Sequence, residues 1–257
     1  LPGEDDAQAA TTLRQALNVQ HGVVELADVG PFSIDDLRMP GESRVIRSRP
    51  GYRAVIRIEG PKFDAVRALP GVFTLDGRSL TLDSIDLVVN VRELGMNQKA
   101  LFHGSGFNLT LKNCTITVVN PGPTPFALIR SDDAASRPSR IRIEDSLLRG
   151  DVSAMIEANR GRVETVMVRS FVAAAGPIVQ VLGATPAEHG LHVLRSVLAC
   201  RGPLLDLGPG PGSGPKPDAQ ARRLVVRAQD SVFARVAGAG VPSLTAHDVD
   251  GAGLNRL

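Results

Sequence analysis

The sequence predicts an all-β solenoid, a coil of parallel β-sheet wound in about seven to nine rungs behind an N-terminal capping α-helix. Three observations carry this reading. A phrase of one small, two aliphatic and one polar residue starts at 100 ("ALFH"), 127 ("ALIR"), 154 ("AMIE"), 177 ("PIVQ") and 203 ("PLLD"), so its intervals are 27, 27, 23 and 26 residues. A second phrase follows each copy, as in "LTLKNCTITVV" from 109, "IRIEDSLLRG" from 141 and "LHVLRSVLA" from 191: two apolar runs of period two around a polar break. The composition agrees, because 257 residues at 43% hydrophobic hold no Trp, one Tyr and eight Phe beside 26 Gly and 18 Pro. The core must then be aliphatic and the turns frequent.

Together the two phrases make a unit of about 23 to 30 residues with three short strands and no helix, unlike an ankyrin or TPR repeat. Equivalent residues stack on successive rungs about 4.8 Å apart. Leu80, Leu109, Ile141, Val166, Leu191 and Leu224 are therefore expected to form one inward column. The bends between paired strands are expected at Asn113, Asp145, Ser170, Ser196 and Asp230. Upstream the rhythm loosens, with "GVVEL" at 22, "RVIRS" at 44 and "RAVIRIEG" at 53, so residues 22–70 read as irregular early rungs and 71–236 as regular ones. Phe73 precedes Leu80 by seven residues as Phe102 precedes Leu109, which places the two rings on adjacent rungs.

A coil with open ends invites edge-to-edge association unless something covers them. Residues 6–19 supply a cover: Asp6 can cap a helix whose Ala9, Leu13, Ala16 and Leu17 share one face, and Gly22 follows as a stop. Residues 237–257 read as a C-terminal tail or cap. The Pro/Gly/Ser-rich stretches 131–140 and 208–223 read as loops inserted between strands, since the repeat resumes after each. The whole chain, 1–257, reads as one domain, and its start at "LPGEDD" suggests a piece of a longer protein.

A formal charge of +2 argues against nucleic acid or an anionic membrane as partner, and no apolar run is long enough for a membrane helix. The side of the membrane on which this chain works is left undetermined. Cys114 and Cys200 fall on rungs about 14 Å apart by the rung spacing, beyond disulfide reach, so both are expected as free, buried thiols. The sequons at Asn108 and Asn113 fall inside a predicted strand and read as chance matches.

The phrases from "GVVELADVGPFSIDDLRMPGESRVIRSRPGYRAVIRIEG" through "LTLKNCTITVVNPG" resemble right-handed parallel β-helix proteins of the pectate-lyase-like superfamily. The nearest likeness is to uncharacterised segments of large bacterial proteins, some with a Ser/Thr protein kinase domain. The resemblance implies a right-handed coil and a bacterial origin. It leaves activity open, because such coils serve as lyases, hydrolases, adhesins and spacers.

Enzymes of that superfamily work on the outer face of a parallel sheet, which directs attention to the fourth residue of the repeated phrase: His103, Arg130, Glu157, Gln180 and Asp206 stack into one polar column. A hydrolase would need two carboxylates about a ligand's glycosidic bond. Glu157 and Asp206 are the candidates, two rungs and hence about 10 Å apart. The chain lacks the superfamily's Asp set around a Gly-His-Gly, and "RPSR" at 137 does not match its arginine motif. The lone histidines lack zinc-site spacing, and "GPGPGSGPKP" has prolines where a phosphate loop needs N–H donors, so neither metal nor cofactor is expected. Strict alternation would also turn Val72, Leu101, Leu128, Met155, Ile178 and Leu204 outward as an aliphatic stripe beside the column, unless a bulge turns them in.

These features lead to the expectation of a noncatalytic binding or scaffold module. It would present Leu128, Met155 and Ile178 beside His103, Arg130, Glu157, Gln180 and Asp206 to a protein partner, a neighbouring domain, a second copy of the chain or a carbohydrate. The alternative is a polysaccharide lyase or glycoside hydrolase using Glu157 and Asp206.

Overall fold

The structure, a computed structural model, describes residues 22–33, 37–38, 43–58, 70–94, 99–120, 122, 124–132, 137–159, 161–182, 188–208, 223–235 and 244–246. The helix expected over 6–19 lies outside these residues, as do the cores of the two inserted loops, 133–136 and 209–222.

The described chain is almost entirely β. It cycles through three parallel sheets, each of eight strands, so every rung adds one strand to each sheet. Sheet A holds β1 (Val23–Leu26), β4 (Ser43–Ser48), β7 (Ser79–Asp83), β10 (Asn108–Lys112), β13 (Ser139–Glu144), β16 (Val163–Val168), β19 (Glu188–Leu194) and β22 (Arg223–Gln229). Sheet B holds β2 (Phe32–Ser33), β5 (Ala54–Ile58), β8 (Ile85–Asn90), β11 (Thr115–Val119), β14 (Leu147–Gly150), β17 (Phe171–Ala174), β20 (Val197–Cys200) and β23 (Val232–Arg235). Sheet C holds β3 (Leu37–Arg38), β6 (Gly71–Thr74), β9 (Ala100–Gly104), β12 (Ala127–Ser131), β15 (Ala154–Ala158), β18 (Val179–Val181), β21 (Leu205–Leu207) and β24 (Leu244–Ala246). This is the arrangement of a parallel β-helix, and even the irregular first two rungs contribute to all three sheets.

The inner faces stack as the repeat requires. Phe73 and Phe102 lie on adjacent rungs with ring centroids 5.1 Å apart and an interplanar angle of 25°, a geometry worth about 1 kcal/mol beyond burial. In sheet A the core column runs through Leu80, Leu109 and Ile141 as expected, but continues through Thr165, Leu191 and Val226. Val166 and Leu224 do not lie in it.

The bend between sheets A and B explains that slip. Ser84, Asn113, Asp145, Arg169, Arg195 and Asp230 all adopt left-handed backbone, with φ between 47° and 60°. Each column member stands four residues before one of them. The sequence reading placed two bends one residue late, at Ser170 and Ser196, because arginine is an unusual occupant of this conformation. Asn113, Asp145 and Asp230 are turn residues at the positions expected for the bends.

After the last five of these six positions the next residue builds an inward stack: Cys114, Ser146, Ser170, Ser196 and Ser231. Each backbone N–H donates to the next rung's serine: Cys114 N to Ser146 Oγ (3.0 Å), Ser146 N to Ser170 Oγ (3.2 Å), Ser170 N to Ser196 Oγ (3.0 Å) and Ser196 N to Ser231 Oγ (3.3 Å). Each hydroxyl then donates to the carbonyl two residues before it, Glu144 O at 2.6 Å, and Val168, Leu194 and Gln229 O at 2.8 Å. The tight bend buries backbone groups, and the serines satisfy them. Cys114 and Cys200 are free and buried, as expected. Burial pushes the Cys114 thiol up to about 11, against hydrogen bonding to the backbone that lowers it.

The aliphatic stripe requires a correction. Leu128 and Met155 are 1% exposed and Ile178 0%, and Val72 and Leu101 are buried with them in the core. Pairing in sheet C runs from Ala127 to Ile129 and from Ala154 to Ile156, skipping the residue between. At this position two successive N–H groups turn the same way: Ile178 N and Val179 N both donate to Leu204 O, at 3.0 and 3.3 Å. The strand bends here as it enters the sheet, so alternation lapses for one step and two neighbouring side chains both point inward. Leu128, Met155 and Ile178 are thus core residues and offer nothing to a partner.

Candidate functional site

Beyond that bend alternation resumes, and the polar column forms on sheet C in continuous register. Thr74 pairs with His103, His103 with Arg130, Arg130 with Glu157, Glu157 with Gln180, and Gln180 with Asp206. All five residues expected from the sequence are therefore brought together. The column is more enclosed than an ordinary solvated ladder, since Thr74, His103 and Glu157 are only 6%, 8% and 7% exposed.

Two further residues join from the next outward position of their strands. Asp132 follows Arg130 by two residues and Asn159 follows Glu157 by two. Asp132 Oδ1 accepts from Arg130 Nε at 2.7 Å and from Asn159 Nδ2 at 3.0 Å, while Asp132 Oδ2 lies 3.0 Å from His103 Nε2. Burial raises the Asp132 carboxyl, but the bonds from His103, Arg130 and Asn159 outweigh it and hold the group well below the usual carboxylate range. Asp132 was missed because "SDDAASRPSR" read as an inserted loop, and Thr74, although "GVFT" at 71 fits the phrase, because the column was started at His103. The period-two rule applied one step past Arg130 and Glu157 would have found Asp132 and Asn159.

Glu157 is placed differently. Arg130 Nη1 stands 2.9 Å from its Oε1, within ion-pair reach, yet that oxygen accepts no aligned hydrogen bond. Burial pushes the Glu157 carboxyl up; Arg130 opposes this and Asp132 adds to it. At the far end Gln180 Nε2 donates to Asp206 Oδ2 at 2.8 Å, which leaves Asp206 Oδ1 buried and unbonded. Thr74 Oγ1 and His103 Nδ1 share that condition, so one register column holds four buried polar atoms without a hydrogen-bond partner. Gly71 keeps the column compact: a Cβ there would come within 2.3 Å of His103 Cβ.

As a catalytic pair Glu157 and Asp206 are two rungs apart, about 10 Å by the strand spacing, with Gln180 between them. That is at the upper edge of the roughly 6.5–9.5 Å used for inversion at a glycosidic bond. Among the described residues no three His, Cys, Asp or Glu side chains are grouped to hold a metal ion, and no helix is long and apolar enough to cross a membrane. A separate polar cleft of about 620 Å³ lies between Asp76, Gly77, Arg78, Ser79, Ser43, Asn108 and Arg137. None of its side chains holds a buried atom without a partner.

The likeness to pectate-lyase-like coils rests on the sequence phrases alone, because the chain matches no family model, no curated protein and no solved structure.

Proposed function

We propose that this chain is a noncatalytic binding module, part of a larger protein, whose rigid sheet C face recognises an extended carbohydrate through the column from Thr74 to Asp206. The observation that carries this is the concentration in one column of three buried atoms without a partner, Thr74 Oγ1, His103 Nδ1 and Asp206 Oδ1, and a fourth, Glu157 Oε1, held by an ion pair but by no aligned hydrogen bond. Leaving a buried polar atom unpaired costs about 1–3 kcal/mol, and a fold has no reason of its own to bear that several times along one line. A protein partner docking on aliphatic side chains is the weaker reading, because Leu128, Met155 and Ile178 are in the core. Nearly all crossovers between parallel strands of one sheet are right-handed, which supports a right-handed winding.

The lyase or hydrolase reading keeps one supporting observation: burial raises the Glu157 carboxyl, as a general acid requires. One experiment separates the two. The purified chain and its Glu157→Ala/Asp206→Ala variant are titrated with soluble polysaccharides while new reducing ends and unsaturated uronates are assayed. The module reading expects binding that the variant loses and no product from either protein. Product that the variant fails to make would establish the enzyme instead.

A further inference from the structure

We infer that the ligand of the sheet C column is a saccharide chain bearing hydroxyl or amino groups and no carboxylates, laid along the axis of the coil. This rests on the reading of the column as a carbohydrate-binding face, and it concerns which hydrogen-bonding partner the face demands.

The orphaned atoms are mostly acceptors. Glu157 Oε1 and Asp206 Oδ1 belong to carboxyl groups, which when ionised accept and cannot donate. His103 Nε2 faces Asp132 Oδ2 at 3.0 Å, so in the neutral ring the proton sits on Nε2 and Nδ1 accepts. Thr74 Oγ1 can accept or donate. Each donor side chain of the column is already anchored to one of its carboxylates: Arg130 through Nε to Asp132 and with Nη1 beside Glu157, Asn159 through Nδ2 to Asp132, and Gln180 through Nε2 to Asp206. The atoms left without a hydrogen bond therefore call for a ligand that brings donors, as hydroxyl and ammonium groups do and a carboxylate does not.

Charge points the same way. Asp132 and Glu157 face the Arg130 guanidinium, with Lys99 acting on Glu157 from nearby, and Asp206 adds a third carboxylate three rungs beyond Arg130 along the column. A polyuronate would set its own carboxylates against three of the protein's. Spacing sets the direction. The orphans stand on β6, β9, β15 and β21, so successive gaps of one, two and two rungs are about 5, 10 and 10 Å. Multiples of one rung suit a polymer whose pyranose units repeat at a comparable length. Water does not reach these atoms in the closed face, so binding must swing side chains aside, Arg130 beside Glu157 first among them. Rotations of that kind are fast.

The test uses calorimetric titration of the full chain with three oligosaccharides of equal length: a glucose oligomer, a glucosamine oligomer and a galacturonate oligomer. The inference expects the first two to bind and galacturonate to bind at least about tenfold more weakly. The Glu157→Gln/Asp206→Asn variant, which turns acceptors into amides that also donate, should narrow that preference by about tenfold. Galacturonate binding as tightly as the others overturns the inference and leaves the binding face standing. No binding of any of the three overturns both. Binding unaffected by the amide variant and by Thr74→Val, in proteins with unchanged circular dichroism, places the site elsewhere and overturns the inference as well.

Discussion

Two polar columns run the length of this coil, and they treat their hydrogen bonds in opposite ways. In the stack from Cys114 through Ser146, Ser170, Ser196 and Ser231, every serine hydroxyl accepts from the preceding rung's N–H and donates to a carbonyl of its own rung. In the column from Thr74 to Asp206, four buried atoms make no hydrogen bond, and only Glu157 Oε1 among them has an ion pair. Both repeat once per rung of the same coil, the first at the bend between sheets A and B and the second on sheet C, so stacking alone does not create the orphans. The first column closes the bend on which the winding depends. The second leaves hydrogen-bonding capacity unused on an outer face where the fold has no need of it, and that contrast is the ground for reading it as a binding site.

Several measurements can break or sharpen this comparison. The largest effect is expected at the head of the closed stack. With its thiol raised to about 11, native Cys114 holds about one thiolate in a thousand at pH 8, so alkylation should run at least about a hundredfold slower than in urea. Rapid labelling of the native protein would show that the stack opens readily. Next comes Ser170→Ala, which strands the buried Ser146 N–H, while the Val168 carbonyl keeps the Asp145 N–H as its donor. It should lower stability by about 2 kcal/mol in urea unfolding. An effect near zero would mean that the stack follows the bend without holding it.

The pH response of the open column is smaller and has a definite sign. Because burial raises the Glu157 carboxyl, the native state keeps that proton where the unfolded chain loses it, from about pH 4 upward. The native protein should therefore lose stability relative to Glu157→Gln as pH rises through this range. Asp132 runs the other way: its carboxyl is held low, so its contribution is present above about pH 4 and lost as pH falls. A Glu157→Gln difference curve without slope would remove Glu157 from the buried set.

Much of this architecture was legible in the sequence because one physical rule governs it. Residues that stack must resemble each other, so the repeated phrase marked the register of His103, Arg130, Glu157, Gln180 and Asp206 correctly. What escaped lay where the backbone departs from the period-two strand. The bend before Ile129, Ile156 and Val179 carries no turn residue, so alternation pointed Leu128, Met155 and Ile178 the wrong way. Arg169 and Arg195 occupy left-handed positions that Asn or Asp usually signal, which moved two bends by a residue and Val166 with them. Asp132 was hidden because its strand end was read as part of a loop. The orphaned atoms have no signature in sequence at all, since a lost hydrogen bond is a property of three-dimensional surroundings.

The most direct measurement is urea unfolding of Thr74→Val. The substitution keeps the shape of a 6% exposed side chain and removes only the orphaned hydroxyl. If the open column exists for a ligand, the variant should be more stable by about 1 kcal/mol while saccharide binding weakens. A loss of stability like that expected for Ser170→Ala would show that Thr74 serves the fold, and the contrast between the two columns would fail.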